Sequence, residues 1–289
     1  MTRYDGFKAL RVHVERRVAS VTIDHPPINL FDQVLFGDLS RLVPILEEDP
    51  AVAVIVFRSA DPEFFIAHAD VNWILTLPEE KPPRPTSIGP FVGLLERLRT
   101  MPKVTIGAIA GIARGGGSEF LLSLDMRFAS RTRTRLAQPE VALGIIPGGG
   151  GTQRLARLVG RAKALEIILG CFDLDADEAE AIGYINRVFA DEDLGPFVAA
   201  FAERIASMPP DAVRLAKKAV DCALAPVEGG LIDEQDCFNE SVALPDSRAR
   251  MKRFLEVGGQ TREAETRLAS LIGELGRAAS AAGLAKGAG

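Results

Sequence analysis

The sequence predicts an α/β fold in which strands and helices alternate, followed by a mostly helical region. Continuous apolar, β-branched runs at Ala51–Phe57 and Lys103–Ala110 are typical of strands that are covered on both faces. A helical stripe of apolar residues from Asp32 to Glu48 precedes the first of these runs. Because strand, helix and strand alternate, we expect right-handed βαβ units and a largely parallel sheet.

The elements before and after this core follow from simpler patterns. Val12 and Val14 alternate with polar residues, and Val18 to Ile23 resumes the strand pattern until His25-Pro26-Pro27 ends it. Five prolines among the fourteen residues from Leu77 to Pro90 predict an extended or mobile loop. Apolar residues at helical spacing predict further helices at Ala162–Leu169, Ala176–Ile182, Pro196–Ser207, Asp211–Leu224 and Asp246–Glu256.

The chain is expected to divide near Gly160. We expect a core domain over residues 1–160, a helical region over residues 161–275 and a disordered tail over residues 276–289, where small residues dominate. With 289 residues, folding can bury a sizeable core without disulfides or metals.

Composition argues against several classes of protein. A formal charge of −5 and a pI near 5.4 disfavour a nucleic-acid partner. The three cysteines, Cys171, Cys222 and Cys237, lack the spacing of a zinc site or a disulfide framework. No apolar run approaches the ~18–20 residues of a membrane span, and Met1 to Leu10 lacks a secretory signal. We therefore expect a cytoplasmic protein with no membrane partner and no metal.

The glycine-rich turn at Gly115, Gly116 and Gly117 is the first candidate for chemistry. It follows a buried strand and opens a predicted helix, Ser118 to Leu124, that contains Glu119. Glycine permits positive φ and close approach, and the free N–H groups of a helix start attract negative charge. A phosphate or a developing oxyanion would suit this turn, although its spacing does not match the common nucleotide-binding motifs.

Two acidic residues stand alone among apolar neighbours. Glu119 and Glu140, taken singly, could be a helix-start carboxylate and a loop carboxylate in contact with water. If folding brings them into one site, their like charges would raise one pKa and leave one acid and one base.

Several motifs together resemble the enoyl-CoA hydratase (crotonase) family. The segments Phe65–Asp70 and Pro27–Leu30 resemble that family's F-x-A-G-A-D and P-x-N-A motifs. The other matching motifs are Gly115-Gly116-Gly117-Ser118-Glu119, Gln138-Pro139-Glu140 and Ile146-Pro147-Gly148-Gly149-Gly150-Gly151-Thr152-Gln153-Arg154-Leu155. The resemblance spans roughly residues 10 to 255. It implies a crotonase-like ββα-superhelix with a C-terminal helical region for trimerisation.

The resemblance also implies a site and a substrate. It assigns the oxyanion hole to the backbone of Ala69 and Gly116, the activation of water to Glu119 and the α-carbon proton to Glu140. Further residues expected to contact the substrate are Ala67, His68, Asp70, Trp73, Gly115, Gly117, Pro139 and Gly148. The substrate would be an acyl-CoA thioester, with no separate cofactor, and the chain would form a homotrimer or homohexamer.

The chain departs from the family pattern in a few places. His68 stands where the family has glycine, and its ring could act near the oxyanion hole or pack away from it. Arg114 replaces an apolar residue and is expected to form a surface or intersubunit ion pair. Phe254-Leu255-Glu256 lacks the lysine-arginine pair that commonly follows, and a helix of about Glu263 to Leu275 is added. Trp73 could line the acyl pocket or belong to the core.

Hydration of a 2-enoyl-CoA is the function that this pattern favours, because both glutamates are present. A Δ3,Δ2-enoyl-CoA isomerase, in which Glu140 alone moves the proton, is the alternative within the family. A third possibility is a protein of this fold that binds CoA thioesters without hydrating them. A serine protease of the Clp type is disfavoured because no G-x-S-x-G motif accompanies Ser118. Apolar helix positions expected to face partner subunits are Ile167, Ile168, Val213, Leu215 and Val220.

Overall fold

Two β-sheets form the centre of the molecule. The computed structural model describes residues 3–222, 224, 228–268 and 270–271. The larger sheet contains, in spatial order, β1 (Leu10–Glu15), β2 (Val18–Ile23), β3 (Val54–Ser59), β5 (Val104–Ile109), β7 (Met126–Ser130) and β10 (Arg187–Phe189). The smaller sheet contains β4 (Phe64–Ile66), β6 (Ile112–Arg114), β8 (Arg135–Ala137) and β9 (Leu174–Asp175). Only the β1–β2 and β8–β9 pairs are antiparallel, which confirms the predicted α/β class and the largely parallel sheet.

Helices connect these strands and then cover them. Before residue 160 they are α1 (Gln33–Glu48), α2 (Val71–Ile74), α3 (Pro90–Thr100), α4 (Gly116–Leu122), a 3-10 helix (Glu140–Leu143) and α5 (Gly151–Val159). After it come α6 (Arg161–Gly170), α7 (Ala176–Ala181), α8 (Asp191–Ala206), α9 (Pro210–Cys222), α10 (Glu228–Ala243), α11 (Pro245–Glu256) and α12 (Arg262–Thr266). The five helices predicted beyond residue 160 are confirmed within a few residues, except that α8 begins five residues earlier than predicted.

Successive side chains of β3 point to opposite faces of the sheet, and both faces are covered, which explains the continuous apolar run. Ile55 and Phe57 face the core beneath α1 and α3, whereas Val54 and Val56 pack with residues of α8 on the opposite face. Since both faces are covered, every position of the strand is apolar until Arg58. The strand begins later than the predicted run because Ala51 lies in the turn that leads into it.

Local sequence signals set the start of α1 but not of α4. Asp32 precedes α1, and its carboxylate accepts hydrogen bonds from the N–H groups of Val34 and Leu35 at 2.9 Å. In contrast, α4 begins at Gly116 rather than at Ser118, so two glycines of the predicted turn form its first residues. Glycine is a poor helix former, and only the surrounding packing makes it helical here.

The region beyond residue 160 contributes to both sheets. β10 pairs with β7 in the larger sheet and β9 pairs with β8 in the smaller one. The division of the chain at residue 160 stays a prediction. The disordered tail predicted over residues 276–289 lies outside the described residues. The added C-terminal helix is seen as the short α12, and its predicted continuation beyond residue 271 also lies outside the description.

The proline-rich segment is irregular, as expected, and hydrogen bonds connect it and the residues just before it to the C-terminal helices. The Gly89 N–H donates to Gln235 Oε1 of α10 at 2.9 Å, and Arg248 of α11 donates to the carbonyl oxygens of Leu75 and Leu77. No helix of the described residues is long and apolar enough to cross a membrane.

Two of the apolar positions expected at a subunit interface are instead part of the core. Ile167 and Ile168 of α6 are buried within the chain, because they fill the side of the helix that packs on the core. Val213 is partly buried against the cluster beside α8. Leu215 and Val220 are more than half exposed.

The carboxyl ends of β4 and β6 position the segments that carry the candidate site. These strands are parallel neighbours, with Phe64 opposite Ile112, so the residues that follow them lie side by side. Asn29 secures the first segment, because its side-chain amide donates to the carbonyl oxygens of Phe64 and Phe65. Ligands of parallel sheets commonly bind at such carboxyl ends.

A substitution at Gly117 tests how closely α4 must approach β4. A Cβ on Gly117 would overlap the Ile66 carbonyl oxygen, so we expect Gly117→Ala to lower the free energy of unfolding by about 1–3 kcal/mol. Gly37→Ala in α1 is the matched control, since a Cβ there meets nothing within 4 Å, and it should be neutral or stabilising. Urea denaturation of both variants measures the difference. Equal stability of the two would show that α4 can move away from β4 at no cost.

Candidate active site

Two backbone N–H groups converge where β4 and β6 end. Ala69 pairs with Phe31 in an isolated bridge, in which Phe31 N–H donates to His68 O at 2.9 Å and Asp70 N–H donates to Phe31 O at 3.1 Å. Backbone groups alternate in direction along such a segment, so the Ala69 N–H points away from Phe31. A Cβ built on Gly116 would lie 3.2 Å from Ala69 N, which places the two backbones in contact.

The second N–H belongs to the start of a helix. Gly116 is the first residue of α4, so its N–H has no partner inside the helix. Neither this N–H nor that of Ala69 has a hydrogen-bond partner among the described residues. Gly115 turns the chain into α4 with φ +47°, a conformation that favours glycine. The pair has the arrangement of an oxyanion hole.

Glu119 lies one helical turn further along α4 and is buried. Its Oε1 accepts hydrogen bonds from the N–H groups of Gly149 at 2.7 Å and Gly151 at 2.8 Å. Burial and then the negative charge of Glu234 raise the pKa of Glu119 to about 8, against the effect of those two N–H groups and of Arg154. The side chain is held in one place and can change protonation state near neutral pH.

Glu140 approaches the same site from the 3-10 helix. A Cβ built on Gly115 would lie 2.7 Å from Glu140 Oε1, so the carboxyl group lies directly over that glycine. Its Oε2 has no hydrogen-bond partner in the described part of the chain. Burial, followed by the charge of Glu119, raises the pKa of Glu140 well above its usual range. The two glutamates therefore titrate as a pair, and one of them keeps a proton.

A cavity of about 40 Å³ lies beside the paired N–H groups and Glu140, whereas Glu119 is not among the residues that line it. Ala69, Gly116 and Glu140 line it, together with His68, Gly115 and Pro139. Apolar side chains close the other side, namely Val71, Ile74, Leu143, Ile145, Phe254 and Leu268. Its polar wall is the oxyanion hole and one carboxyl group, which suits a carbonyl compound with an apolar chain.

The remaining predicted contact residues surround this cavity without lining it. Ala67 is buried, and its N–H donates to Ile28 O. Asp70 caps α2 and accepts a hydrogen bond from Gln260 at 2.8 Å. Gly117 packs on Ile66, as described above, and a Cβ on Gly148 would lie 2.6 Å from the Phe238 ring. Their roles as substrate contacts stay predictions.

Trp73 lies in an aromatic group next to the cavity. Its ring is 5.6 Å from that of Phe36 and 6.4 Å from that of Phe91. Phe91 in turn touches the glycine loop, since a Cβ on Gly149 would lie 2.6 Å from its ring and 2.5 Å from Glu119 Oε2. Trp73 therefore supports the side of the site that contains Glu119.

His68 and Arg114 meet a residue of the added C-terminal segment. His68 donates from Nδ1 to Ala69 O at 2.8 Å and from Nε2 to Glu265 Oε1 at 2.9 Å. Because both partners are acceptors, both ring nitrogens carry protons. Burial opposes this charge, but the Glu265 carboxylate outweighs it and raises the pKa of His68.

The expectation that Arg114 lies at the surface is wrong. Arg114 is 1% exposed, and its guanidinium donates to both carboxylate oxygens of Asp173 at 2.7 Å and to Glu265 O at 2.8 Å. Arg114 must lie inside because it extends from β6, at the centre of the smaller sheet. Three of the departures from the family pattern, namely His68, Arg114 and the added C-terminal helix with Glu265, thus form one buried ionic network behind the oxyanion hole.

Two buried acids at the site were not predicted from the sequence. Glu265 pairs with His68 across 197 residues, and Glu234 accepts from the Gly150 N–H across 84 residues. Each lies in a helix without a motif, so no local signal marks it. Among the described residues, no three His, Cys, Asp or Glu side chains are grouped so that they could hold a metal ion.

Comparison with known proteins places this chain in a family. The enoyl-CoA hydratase/isomerase family model matches residues 13–262. The short-chain-enoyl-CoA hydratase of Clostridium acetobutylicum is 34% identical over 249 residues, which are 84% of this chain and 92% of that protein. The crotonyl-CoA hydratase of Syntrophomonas wolfei is 34% identical over 253 residues, 87% of this chain and 96% of that one.

A solved structure is similar throughout. The crystal structure of a candidate enoyl-CoA hydratase from Streptomyces avermitilis superposes with a TM-score of 0.88 at 37% identity, covering 94% of this chain and 100% of that one. The chain belongs to the enoyl-CoA hydratase/isomerase family, and its fold is the crotonase fold.

A substitution at Gly116 tests whether its N–H group belongs to the oxyanion hole. A Cβ there would lie 3.0 Å from the Ala69 Cβ, and the two methyl groups of valine would force the two N–H groups apart. We expect Gly116→Val to keep its circular dichroism spectrum and to lose about 10²–10³-fold in the turnover of an enoyl-CoA. Activity close to wild type would exclude the Gly116 N–H as a donor to the substrate.

Glu265→Gln tests the ionic network through the pH dependence of stability. The pKa of His68 is raised, so its contribution is complete below its ordinary value of about 6.5 and is lost as pH rises through the raised pKa. The pKa of Glu265 is lowered from 4.5 despite burial, chiefly by His68, so its contribution is lost only in acid.

We therefore expect wild type to exceed Glu265→Gln in stability most between about pH 4.5 and 6.5, by up to about 3–5 kcal/mol. The difference should shrink at alkaline pH, because His68 then loses its charge. Urea unfolding of both proteins at pH 5.5 and pH 9 measures it. A difference that stays constant with pH would show that the pair is not ionised.

Proposed function

We propose that the protein is an enoyl-CoA hydratase, a lyase that reversibly adds water across the 2,3 double bond of an enoyl-CoA thioester. The observation that carries this proposal is the placement of two buried glutamates, Glu119 and Glu140, around the paired N–H groups of Ala69 and Gly116. The printed names of the relatives, which are enoyl-CoA and crotonyl-CoA hydratases, support the same reaction.

The oxyanion hole would start the reaction. The thioester oxygen would accept hydrogen bonds from the Ala69 and Gly116 N–H groups, and the positive end of α4 would add to their field. Electron density then shifts toward that oxygen, and the β-carbon becomes electrophilic. Water attacks the β-carbon while Glu119 takes one of its protons. The enolate that forms is quenched at the α-carbon by the proton of Glu140, which leaves a 3-hydroxyacyl-CoA.

The surroundings of the two glutamates suit these opposite roles. Two N–H groups donate to Glu119, and such bonds favour its ionised form. Glu140 Oε2 has no donor in the described residues, so burial favours its protonated form. The hydrogen-bond donors therefore favour loss of the proton from Glu119, which serves as the base, and Glu140 serves as the acid.

The proposal includes no separate cofactor. Hydration transfers a hydroxyl group and a proton without net oxidation, so water and the two carboxyl groups supply every atom that moves. Coenzyme A would enter and leave as part of the substrate.

A homotrimer, or a homohexamer of two trimers, is part of the proposal. Large apolar side chains remain exposed on α5, α6 and α9 and in the turn after α6, namely Leu158, Leu165, Leu169, Phe172, Leu215 and Val220. Exposed large apolar side chains are typical of subunit interfaces, and closed symmetry is the usual way to bury them.

The acid pair provides the direct test of the function. We expect Glu119→Gln and Glu140→Gln each to lower the hydration of crotonyl-CoA by more than ~100-fold, because each removes one general acid–base group. Loss of the enoyl absorbance measures the rate, and titration with butyryl-CoA measures binding, which should persist. Normal hydration by Glu119→Gln would rule out the two-glutamate mechanism.

The same variants separate the alternatives within the family. In an isomerase, Glu140 alone would move the proton, so Glu119→Gln would keep the conversion of a 3-enoyl-CoA to a 2-enoyl-CoA. Wild-type protein that isomerises but does not hydrate would establish the isomerase. Wild-type protein that binds butyryl-CoA and does neither would establish a non-hydrating binding protein.

A further inference from the structure

Four consecutive backbone N–H groups are divided between two buried carboxylates. The N–H groups of Gly149 and Gly151 donate to Glu119 Oε1 at 2.7 and 2.8 Å. The alternate N–H groups, those of Gly150 and Thr152, donate to Glu234 Oε1 and Oε2 at 2.5 and 2.8 Å. The Thr152 hydroxyl also donates to Glu234 Oε2. The loop therefore lies between the two acids and holds both.

The conformation of the loop allows this division. Gly150 has φ +99°, and a Cβ there would overlap the guanidinium of Arg154, which donates to Gly149 O at 2.7 Å. Residues 151 and 152 are the first of α5, whose initial N–H groups have no partner within the helix. No side chain of the loop caps this helix, so Glu119 and Glu234 supply the acceptors.

Glu234 acts on Glu119 by charge as well as through the loop. It is 3% exposed on α10 and does not line the cavity at the oxyanion hole. The charged groups that face Glu119 are Glu234 from α10, Glu140 from the 3-10 helix and Arg154 from α5. Arg154 is itself paired with Glu96 of α3 at 3.0 Å, so the positive charge near Glu119 is partly neutralised.

We propose that Glu234 is a positioning residue for hydration, which holds the loop at residues 149–152 so that Glu119 is fixed through Oε1 and keeps Oε2 for the attacking water. Both hydrogen bonds that Glu119 accepts from the loop end on Oε1. If the loop shifted, Glu119 would lose both donors together. This inference rests on the proposed hydratase function and adds a third acid to it, one that does not touch the substrate.

The test is the pH dependence of crotonyl-CoA hydration. Wild-type kcat should rise with pH through the pKa of Glu119, because the base must be ionised. Glu234→Gln removes the charge that faces Glu119 and places an amide against N–H donors. We expect the kcat of Glu234→Gln to fall about tenfold, with KM little changed. The rising limb of its profile of kcat against pH should move to lower pH by about one unit.

Two further variants separate the effect of the loop position from the effect of the Glu234 charge. Glu234→Asp keeps the charge but shortens the reach to the loop, so its kcat should fall, and the rising limb of its pH profile should move to higher pH because Glu119 loses N–H donors that lower its pKa. Glu240→Gln is the matched control on α10, because Glu240 is exposed and pairs with Lys81 at 2.7 Å. It should leave both kcat and the pH profile unchanged.

The outcomes distinguish the two proposals. If wild type does not hydrate crotonyl-CoA, the proposed function and the role of Glu234 are both wrong. If wild type does hydrate it and Glu234→Gln keeps the wild-type kcat and pH profile, only the role of Glu234 is wrong. If the kcat of Glu234→Gln falls but the rising limb of its pH profile does not move, Glu234 stabilises the fold without acting on Glu119, and the proposal is wrong. Should Glu234→Gln fail to fold, a wild-type kcat in Glu234→Asp would overturn the proposal.

Discussion

The burial of carboxyl groups against backbone N–H donors is the constraint on which the site depends. Glu119 and Glu234 lie inside the protein because N–H groups of one loop satisfy both of them. Glu140 Oε2 has no hydrogen-bond partner among the described residues, and burial raises the pKa of this carboxyl group. An uncompensated charge in this position would be costly, so the donors determine which acid is ionised. In the proposed reaction, the division of roles between base and acid would follow from the positions of main-chain atoms.

Those main-chain atoms are available only because side chains are missing at critical positions. Gly116 must contact Ala69, and Gly117 must contact Ile66, where a Cβ would overlap the carbonyl oxygen. Gly149 lies against Phe91 and Glu119 in the same way. The glycines thus allow β4, α4 and the loop before α5 to approach one another closely. This close packing brings the two oxyanion donors together and places the carboxyl groups around them.

The C-terminal segment gives this member of the family a second support behind the oxyanion hole. Glu265 contacts both His68 and Arg114, and Leu268 lines the cavity. His68 adjoins Ala69 and also donates to its carbonyl oxygen, so the network reaches the residue that presents an oxyanion donor. The segment that follows the family's matched region is therefore part of the site in this chain.

Periodicity and contiguous motifs are local properties of the chain, so they were enough to predict the fold class and the main strands and helices, and the motif resemblance pointed to the pair Glu119 and Glu140. It marked His68 and Arg114 as unusual but did not show that they share a partner. The contacts of Glu234 and Glu265 became visible only in the folded chain, because these residues lie 84 and 197 residues from the groups they bind. Neither acid stands in a motif, and an α-helical position reveals no contact partner until helices pack. The charge of Glu234, which lies far away along the chain, acts on Glu119 and Glu140, so the proposed division between base and acid could be argued only from the folded chain.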